Sequence, residues 1–463
     1  STTALQNVGV GCSALNSITT GSYNTAVGWH AGKSATTSSQ NTYIGYRAGR
    51  DAATSGDVTY IGYDSGYQAT GSSNTAVGHR TLDAPSCSGS NNTTIGREGL
   101  GALTTGANNT GLGYFTGHDI TTGSNNVAVG HNALSTIQTV SETTAVGAYA
   151  LDALTNSGTY NTALGYKAGS SCTDGTRNVL IGWEAGESLT TANRCVFIGQ
   201  NVAQGAVTGD DNIAIGREAA YNMTSGARNT SVGNYTLLNL TTANDNTAIG
   251  FQAGKAITTG YANTFVGEDS GLVATTAHNN VCLGYDAGEA LTTGGENTLI
   301  GFQAGLGLTT ADASVVIGAG MNIGNTSNKV AIYNGTVNAN FSGSASSWTF
   351  TSDGRDKTDI VDLDLGLDFI KKIQPRKFKW DFRDEKRASS WGNGLTKAGF
   401  IAQELQSVLS ETNATYTGIV DETDPDNLTV GQTDFIPMLI NAVKELSAQN
   451  EALVARITAL ESN

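Results

Sequence analysis

A serine and a lysine near position 350 are the side chains of this sequence best suited to covalent chemistry. Ser352 and Lys357 are five residues apart in a polar run that also contains Asp353 and Arg355. A serine hydroxyl becomes a nucleophile when a neighbouring base takes its proton, and a lysine serves as that base when desolvation lowers its pKa. This spacing lets both side chains meet across a turn. The same residues also fit a polar loop in which Ser352 caps a turn and Lys357 faces water.

Cysteines and acidic residues give no second site of this kind. The five cysteines occur at different places in the sequence, with no Cys-x-x-Cys pair and no histidine cluster beside them: Cys12, Cys87, Cys172, Cys195 and Cys282. We interpret them as small buried apolar residues rather than as metal ligands or a disulfide framework. Acidic residues before position 350 are scattered singly and are interpreted as solvated surface charges, for example Asp64, Glu98, Glu184 and Asp286. The sequence therefore predicts neither a metal site nor a cofactor.

The chain that precedes Ser352 follows a 17-residue repeat, each copy of which we call a coil. Nineteen marker glycines define it, with occasional slips of one residue: Gly11, Gly28, Gly45, Gly62, Gly78, Gly96, Gly113, Gly130, Gly147, Gly165, Gly182, Gly199, Gly216, Gly233, Gly250, Gly267, Gly284, Gly301 and Gly318. The residue before each marker is Val, Ile or Leu, and the residue three before it is Thr, Val or Ile. A fixed period of this length indicates stacked units, none of which can bury its apolar face alone.

One coil illustrates the local structure that the repeat predicts. Thr247 and Ile249 flank Ala248 with the alternation of a half-buried strand, and β-branched residues suit a pleated surface. Gly250 permits a bend or a close backbone approach, and the Thr-Thr-Gly run at 258–260 is typical of a turn. We therefore expect two short strands and two turns per coil, in a parallel β-roll or β-solenoid over residues 1–322.

Two positions beside the marker glycine carry further information. Asn stands four residues before the marker in 15 of the 19 coils, for example Asn24 and Asn161, where stacked amides can form a ladder. The position after the marker holds Trp29 in one coil but Arg97 and Glu268 in others. A position that accepts rings and charges alike is not deep core. Its side chains are expected either to pack between chains or to form a surface strip that contacts a ligand.

The net charge and the apolar pattern exclude two classes of partner. The chain has a formal net charge of −15 and a pI near 4.7, so it repels nucleic-acid phosphates, and we expect no nucleic-acid binding. It has no run of about 18 apolar residues, so we expect no membrane insertion. Because the sequence starts at Ser1 without Met or a leader, we expect a fragment or a processed product.

The composition changes abruptly after Trp348, where Lys and Arg become frequent. We expect a cap and hinge over residues 323–351, with a strand at 329–333, and a separate α+β domain over 352–463. Within that domain the pattern predicts a helix at 365–373, a strand at 377–382 and a terminal helix at 435–461. The terminal helix carries an apolar heptad with Asn450 at a core position, which fixes parallel register in a coiled coil.

The heptad pattern by itself does not decide how many copies of the terminal helix associate. β-branched residues beside Leu, together with a buried Asn, favour a dimer in simple zippers. Ile440 and Val454 widen the apolar stripe, which favours a higher state.

Both parts of the chain resemble known families. The Asn-Thr-Ala-Ile-Gly unit at 246–250 resembles head repeats of trimeric autotransporter adhesins and similar repeats in phage tail fibres. In the adhesin heads each chain is a left-handed parallel β-roll, and three rolls pack into a trimer. The motif Ser-Asp-x-Arg-x-Lys at 352–357, the aromatic run at 378–380, Gly-Phe-Ile-Ala-Gln-Glu at 399–404 and the terminal helix resemble the intramolecular chaperone domain of phage tailspikes and endosialidases.

The second resemblance implies roles for the residues around position 352. The family trimerises its partner domain and then cuts itself off before the serine of the motif, using a Ser–Lys dyad. Ser352 would then be the nucleophile, Lys357 the base and Thr351–Ser352 the scissile bond. Asp353 and Arg355 are expected to hold the loop as a charge-assisted pair. The resemblance also favours a homotrimer over a dimer.

Together these patterns favour a virion tail fibre that attaches to a host receptor or glycan. Its terminal domain would drive trimerisation and cleave the chain once, so no turnover enzyme is expected. A bacterial surface adhesin is one alternative. A polysaccharide-degrading tailspike is another, although it requires paired carboxylates in a cleft.

Overall fold

The computed structural model describes residues 4–155, 157–333, 338–342, 349–350, 357–379, 396–422 and 428–462. The chain forms two compact units, Ser1–Thr351 and Ser352–Asn463. The first unit is a parallel β-solenoid, as the repeat predicted, and the second is a small unit of short strands and helices.

Each coil of the solenoid contributes one three-residue strand. Strands β1–β19 are Val8–Val10, Thr25–Val27, Thr42–Ile44, Thr59–Ile61, Thr75–Val77, Thr93–Ile95, Thr110–Leu112, Val127–Val129, Thr144–Val146, Thr162–Leu164, Val179–Ile181, Val196–Ile198, Ile213–Ile215, Thr230–Val232, Thr247–Ile249, Thr264–Val266, Val281–Leu283, Thr298–Ile300 and Val315–Ile317. Each strand pairs in parallel with the strand of the next coil, so that Thr247 lies beside Thr264 and Ile249 beside Val266.

We predicted two strands per coil, and the second is wrong: the rest of each coil consists mainly of turns. At least two residues per coil other than glycine adopt the left-handed conformation, for example Gln252 (φ 56°) and Ala262 (φ 55°). A left-handed residue cannot continue an extended strand. Backbone hydrogen bonds nevertheless continue from coil to coil, as where Thr258 N–H donates to the Thr275 carbonyl at 3.0 Å.

The middle residue of the strand fills the core of the coil. Ala248 and Phe265 occupy this position in neighbouring coils and have no exposed surface. Thr247 and Ile249 on either side point outward, and Ile249 is 41% exposed. The aliphatic residue before each marker glycine therefore lies on the surface of the chain and not in its core.

The predicted asparagine ladder is confirmed. Asn246 Oδ1 accepts both the backbone N–H and the Nδ2 group of Asn263 in the next coil, at 3.1 and 3.0 Å. Asn246 Nδ2 also donates to the Gly260 carbonyl at 2.9 Å, which closes its own coil. Because these groups are buried, the ladder satisfies backbone atoms that water cannot reach. Where Cys195 replaces the asparagine, its backbone N–H still donates to Asn178 Oδ1 at 2.9 Å.

Three further strands follow the last coil, in the segment for which we expected a cap and hinge. Strand β20 (Lys329–Tyr333) coincides with the predicted strand and extends the parallel ladder from β19. Strands β21 (Asn338–Ser342) and β22 (Thr349–Phe350) then add antiparallel pairs.

The second unit places two short antiparallel pairs and three helices around a small core. In chain order these are α1 (Leu367–Lys372), β23 (Arg376–Lys379), β24 (Thr396–Gly399), α2 (Ala402–Glu411), β25 (Val420–Asp421), β26 (Thr429–Val430) and α3 (Ile436–Glu461), with 3₁₀ turns at Thr415–Thr417 and Gln432–Phe435. Buried apolar residues of all three helices form the core, among them Phe369, Leu405, Leu409, Phe435 and Met438. Residues 380–382 of the predicted strand at 377–382 lie outside the described residues.

Candidate cleavage and assembly sites

Lys357, the predicted base of the cleavage site, lies within the described residues, and its side chain is exposed. Thr351, Ser352, Asp353 and Arg355 lie outside the described residues. The dyad and the scissile bond therefore stay predictions. The structure does describe the chain that follows Lys357 and the side chains that bind it.

Asn441 of α3 holds the chain that leads from Lys357 into α1. Its Nδ2 group donates to the carbonyl oxygens of Leu363 and Leu365, both at 3.0 Å. Leu365 is buried in the core of the unit, so the two bonds pin a short stretch whose own backbone forms neither helix nor strand. Asn441 thus binds the segment to α3, although it is 78 positions after Leu363 and 76 after Leu365 in the sequence.

Glu445, one helical turn after Asn441, continues this contact. Its Oε2 accepts the backbone N–H of Leu367 at 2.7 Å, at the start of α1. A methyl group on Gly366 would lie 2.0 Å from Glu445 Oε1, so the carboxylate would have to move to make room for it. At the other side of the segment, the Tyr416 hydroxyl donates to the Asp364 carboxylate. Together these contacts fix the course of residues 363–367.

Helix α3 extends far beyond the core to which it contributes. Met438 and Ala442 are its buried residues, and every residue from Val443 to Glu461 is exposed. The exposed face carries the predicted heptad, in which large apolar side chains are 45–70% exposed: Ile436, Leu439, Ile440, Val443, Leu446, Leu453, Val454, Ile457 and Leu460. Asn450 is exposed on this face. Its role in setting register stays a prediction.

The solenoid presents a second apolar surface, which we call the aliphatic column. It consists of the Val, Ile or Leu before each marker glycine, and none of these residues is buried. Val27 and Ile44 are each 38% exposed, Leu112 is 46% and Leu164 is 48%. Single exposed apolar residues are common, but a continuous column of them marks an interaction surface.

Where the residues after the marker glycines are aromatic in consecutive coils, they form a neighbouring column of exposed rings. Trp29 and Tyr46 stack with centroids 4.7 Å apart, and Tyr46 and Tyr63 at 5.0 Å, with nearly parallel planes. Their 40–46% exposure confirms that this position is not deep core. Because each ring covers the faces of its neighbours, the column offers mainly ring edges to a partner.

The acidic residues of the solenoid are less solvated than we predicted. Asp64 is 7% exposed and Asp286 is 9% exposed, so both are buried side chains. Arg47 Nε donates to Asp64 Oδ1 at 2.7 Å across one coil, which raises the pKa of the guanidinium. Gln303 Nε2 donates to Asp286 at 3.2 Å. These contacts suit pairing between coils better than chemistry on a bound substrate.

Four of the five cysteines are buried as predicted, whereas Cys12 is exposed. All five are free thiols. Burial raises the pKa of Cys87 and of Cys195 to about 11. Within the described part of the chain, no group of three His, Cys, Asp or Glu side chains is arranged to hold a metal ion. Among the same residues, no helix is long and apolar enough to cross a membrane.

The first part of the second unit is similar to a known protein family. Residues 352–413 match the family model described as chaperone of endosialidase. No curated protein and no solved structure matches the chain. The chain therefore combines a β-solenoid with a second unit whose first 62 residues are similar to the chaperone of endosialidase. The matched residues include α1, β23, β24 and α2 but not α3.

Sequence reasoning missed Asn441 and Glu445, the two residues that fasten α3 to the chain after Lys357. Their spacing of four residues places them on one face of the predicted helix. That spacing was a visible signal, but solvated polar residues on a helix show the same pattern.

Proposed function

We propose that this chain is the subunit of a trimeric phage tail fibre whose second unit acts as an intramolecular chaperone. The solenoid serves as the shaft or attachment surface of the fibre on the virion, and it contacts a receptor or glycan of the host. The match of residues 352–413 supports the chaperone assignment. The likeness of the coils to adhesin and tail-fibre repeats supports the attachment role.

The observation that carries the assembly proposal is the aliphatic column. The position is Val, Ile or Leu in all nineteen coils, yet it is not buried by the rest of the chain. A partner that covers it must offer apolar side chains at the spacing of one coil along many coils. A second copy of the same chain in parallel register meets that requirement. In the second unit, the exposed apolar heptad of α3 likewise requires a partner with apolar side chains at the same spacing, which a second copy of the helix provides.

Three copies are favoured over two by the chaperone family, which trimerises the domain that precedes it. The mass in solution of the Ser352→Ala chain, which should stay whole, tests this. We expect three times the chain mass of 47.6 kDa, and a monomer at micromolar concentration would overturn the proposal. Replacing Ile249 and Ile44 together with Asp should weaken the trimer. The matched control is Thr259→Asp, which changes an exposed residue outside the aliphatic column.

We also propose that the trimer cleaves itself between Thr351 and Ser352. Ser352 attacks the carbonyl carbon of Thr351 while Lys357 accepts the hydroxyl proton. Lys357 then returns the proton to the amide nitrogen of Ser352 as the C–N bond breaks, and the released amine becomes the N-terminus of the second unit. An acyl ester between residues 351 and 352 would then be hydrolysed by water. Asp353 and Arg355 hold the loop.

The cleavage proposal is tested with two single variants. Ser352→Ala and Lys357→Ala should each leave a full-length trimer, because each removes half of a coupled nucleophile and base. The wild-type chain should release a fragment whose first residue is Ser352, as read by intact mass. A wild-type chain that stays whole over days would overturn the cleavage proposal and leave the assembly proposal standing.

A further inference from the structure

The inside of the solenoid becomes polar at the coils of β6 and β7. Two inner positions of each coil are the middle of the strand and the third residue after the marker glycine, which Ala248 and Ala253 fill in the coil of β15. In the coils of β6 and β7 these positions form what we call the polar break: Thr94, Gly99, Gly111 and Thr116. In no other two neighbouring coils are all four positions without an apolar side chain.

The buried apolar core is divided close to the polar break. Among the described residues of the solenoid, one core extends over residues 15–120 and a second over residues 128–331. The backbone is continuous across this division, since β7 pairs in parallel with both β6 and β8. The division therefore concerns the side chains inside the coils and leaves the ladder of strands intact.

Two hydroxyl groups of the polar break are buried without a hydrogen-bond partner. Thr94 and Thr116 have no exposed surface, and neither Oγ1 atom has a partner among the described residues. A methyl group on Gly99 would overlap Thr94 Oγ1 and lie 3.1 Å from Thr116 Oγ1. A buried polar group without a partner destabilises the folded state, because folding removes its hydrogen bonds to water. Gly111 adds to this effect, since a glycine inside a strand has no side chain to pack.

The coil of β14 has hydroxyl groups at the same two positions, but there they are paired. Ser231 is the middle residue of β14, and Thr236 is the third residue after the marker Gly233. Ser231 Oγ donates to the Thr236 carbonyl at 3.0 Å, and Thr236 Oγ1 donates to the Gly233 carbonyl at 2.8 Å. The second apolar core continues through this coil. Hydroxyl groups at these positions are thus compatible with a continuous core when they are paired.

We propose that the polar break is a built-in opening point, at which the solenoid opens locally before the coils on either side unfold. In a solenoid each coil is held by its neighbours, so the two coils with the weakest shared interior separate at the lowest free energy. The four residues lie inside the coils, so association of copies through the aliphatic column would leave the opening point in place. The solenoid then yields at a fixed position while the stacks on both sides stay folded.

Trypsin cleavage of the native full-length chain gives the first test, because the sequence contains two matched sites. Arg97 in the coil of β6 and Arg217 in the coil of β13 are both exposed and both stand in the sequence Ile-Gly-Arg-Glu. Cleavage of a native protein follows the population of the locally open form when opening and closing are fast. We expect cleavage after Arg97 to be about tenfold or more faster than after Arg217.

The same two sites in the urea-unfolded chain calibrate this comparison, since trypsin should cut them there at similar rates. Equal rates in the native chain would overturn the proposal. The comparison needs no variant, so it decides the proposal even if a substituted chain fails to fold.

Hydrogen exchange of two valine variants gives the second test. Thr116 and Thr236 occupy the same position of the repeat, but only Thr236 has hydrogen-bond partners among the described residues. Thr116→Val removes an unpaired hydroxyl and should slow amide exchange in β7 about fivefold or more. Thr236→Val removes a paired hydroxyl and should speed exchange in β14 by a similar factor. Exchange in β7 that is unchanged or faster in Thr116→Val would show that its hydroxyl does not weaken the coil, and the proposal would be wrong.

Discussion

A methyl group on Gly250 would lie 2.5 Å from the carbonyl oxygen of Gly267, the marker glycine of the next coil. Gly250 also has φ +132°, a conformation that residues with a side chain rarely adopt. The marker glycine is therefore required twice, by its own backbone and by the backbone stacked against it. This explains why the repeat is read most clearly from its glycines.

Substitution of a marker glycine should be far more costly than substitution of a glycine with open space around it. We expect Gly250→Ala to lower the free energy of unfolding by about 3 kcal/mol or more, since backbone strain of about 1–3 kcal/mol adds to the overlap with Gly267. Gly320 has φ +64°, and a methyl group there would have no atom within 4 Å, so Gly320→Ala should cost about 1 kcal/mol. Denaturant unfolding measures both. Equal losses would show that backbone conformation alone sets the requirement.

Removal of one ladder asparagine should leave two buried backbone groups without partners. Asn246→Ala deprives the Asn263 N–H and the Gly260 carbonyl of their hydrogen bonds. Each orphaned group costs about 1–3 kcal/mol, so we expect a loss of about 2–6 kcal/mol in unfolding free energy. Thr259→Ala, at an exposed position of the same coil, should change it by less than about 0.5 kcal/mol. A similarly small loss for Asn246→Ala would mean that water replaces the amide.

The buried thiols should make the solenoid sensitive to alkali. Burial raises the pKa of Cys87 from 9.0 to about 11, so the folded state holds this proton more tightly than the unfolded state does. Its contribution to stability is complete below pH 9 and is lost as the pH rises from 9 to 11. The full effect is about 2–3 kcal/mol per thiol.

Thermal unfolding across this pH range measures the effect. Cys87→Ala should reduce the pH-dependent part of the loss, while Cys12→Ala, at an exposed position, should leave it unchanged. In the native protein at about pH 8, below the ordinary thiol pKa, a thiol reagent should modify Cys12 and none of the other four cysteines. Rapid modification of Cys87 under those conditions would argue against its burial.

Deletion of residues 352–463 should prevent the solenoid from assembling, although its removal after assembly should matter little. The aliphatic columns of separate copies must come into register before their burial offsets the entropy of association, and under the proposed function the α3 helices supply that register. Without it, the aliphatic column and the strand edges are exposed to aggregation. The comparison is residues 1–351 expressed alone against the same segment released by cleavage. Soluble trimers from the truncated gene would refute the chaperone role.

The sequence predicted the solenoid because its strongest constraints are local and repeat in every coil. Gly250 and Asn246 each act through a neighbour one coil away, so their requirement appears as a period. The orientation of the strand could not be predicted with the same certainty. Ala248 and Ile249 are both apolar, and an alternating pattern does not reveal which of two apolar faces is inside. The structure places Ala248 inside.

The second unit was harder to predict because its contacts are single and distant in sequence. Glu445 meets Leu367 across 78 positions, and nothing periodic marks either residue. Turn residues were missed for another reason. Gln252 adopts a left-handed conformation that ordinarily favours glycine or asparagine, because hydrogen bonds between stacked coils impose it, such as the one from its N–H to the Asn234 carbonyl.

The one-to-one register of the coils also bears on how such a gene can change. Each strand pairs with the strands of the coils directly before and after it, as Thr247 does with Thr230 and Thr264. Recombination that adds or removes the DNA of one whole coil therefore preserves every kind of contact. Changes of a single residue are absorbed in the turns, since Thr75 pairs in register with both Thr59 and Thr93 although the marker glycines are 16 and 18 residues apart there. The length of the solenoid can therefore change in steps of one coil without any change in the second unit.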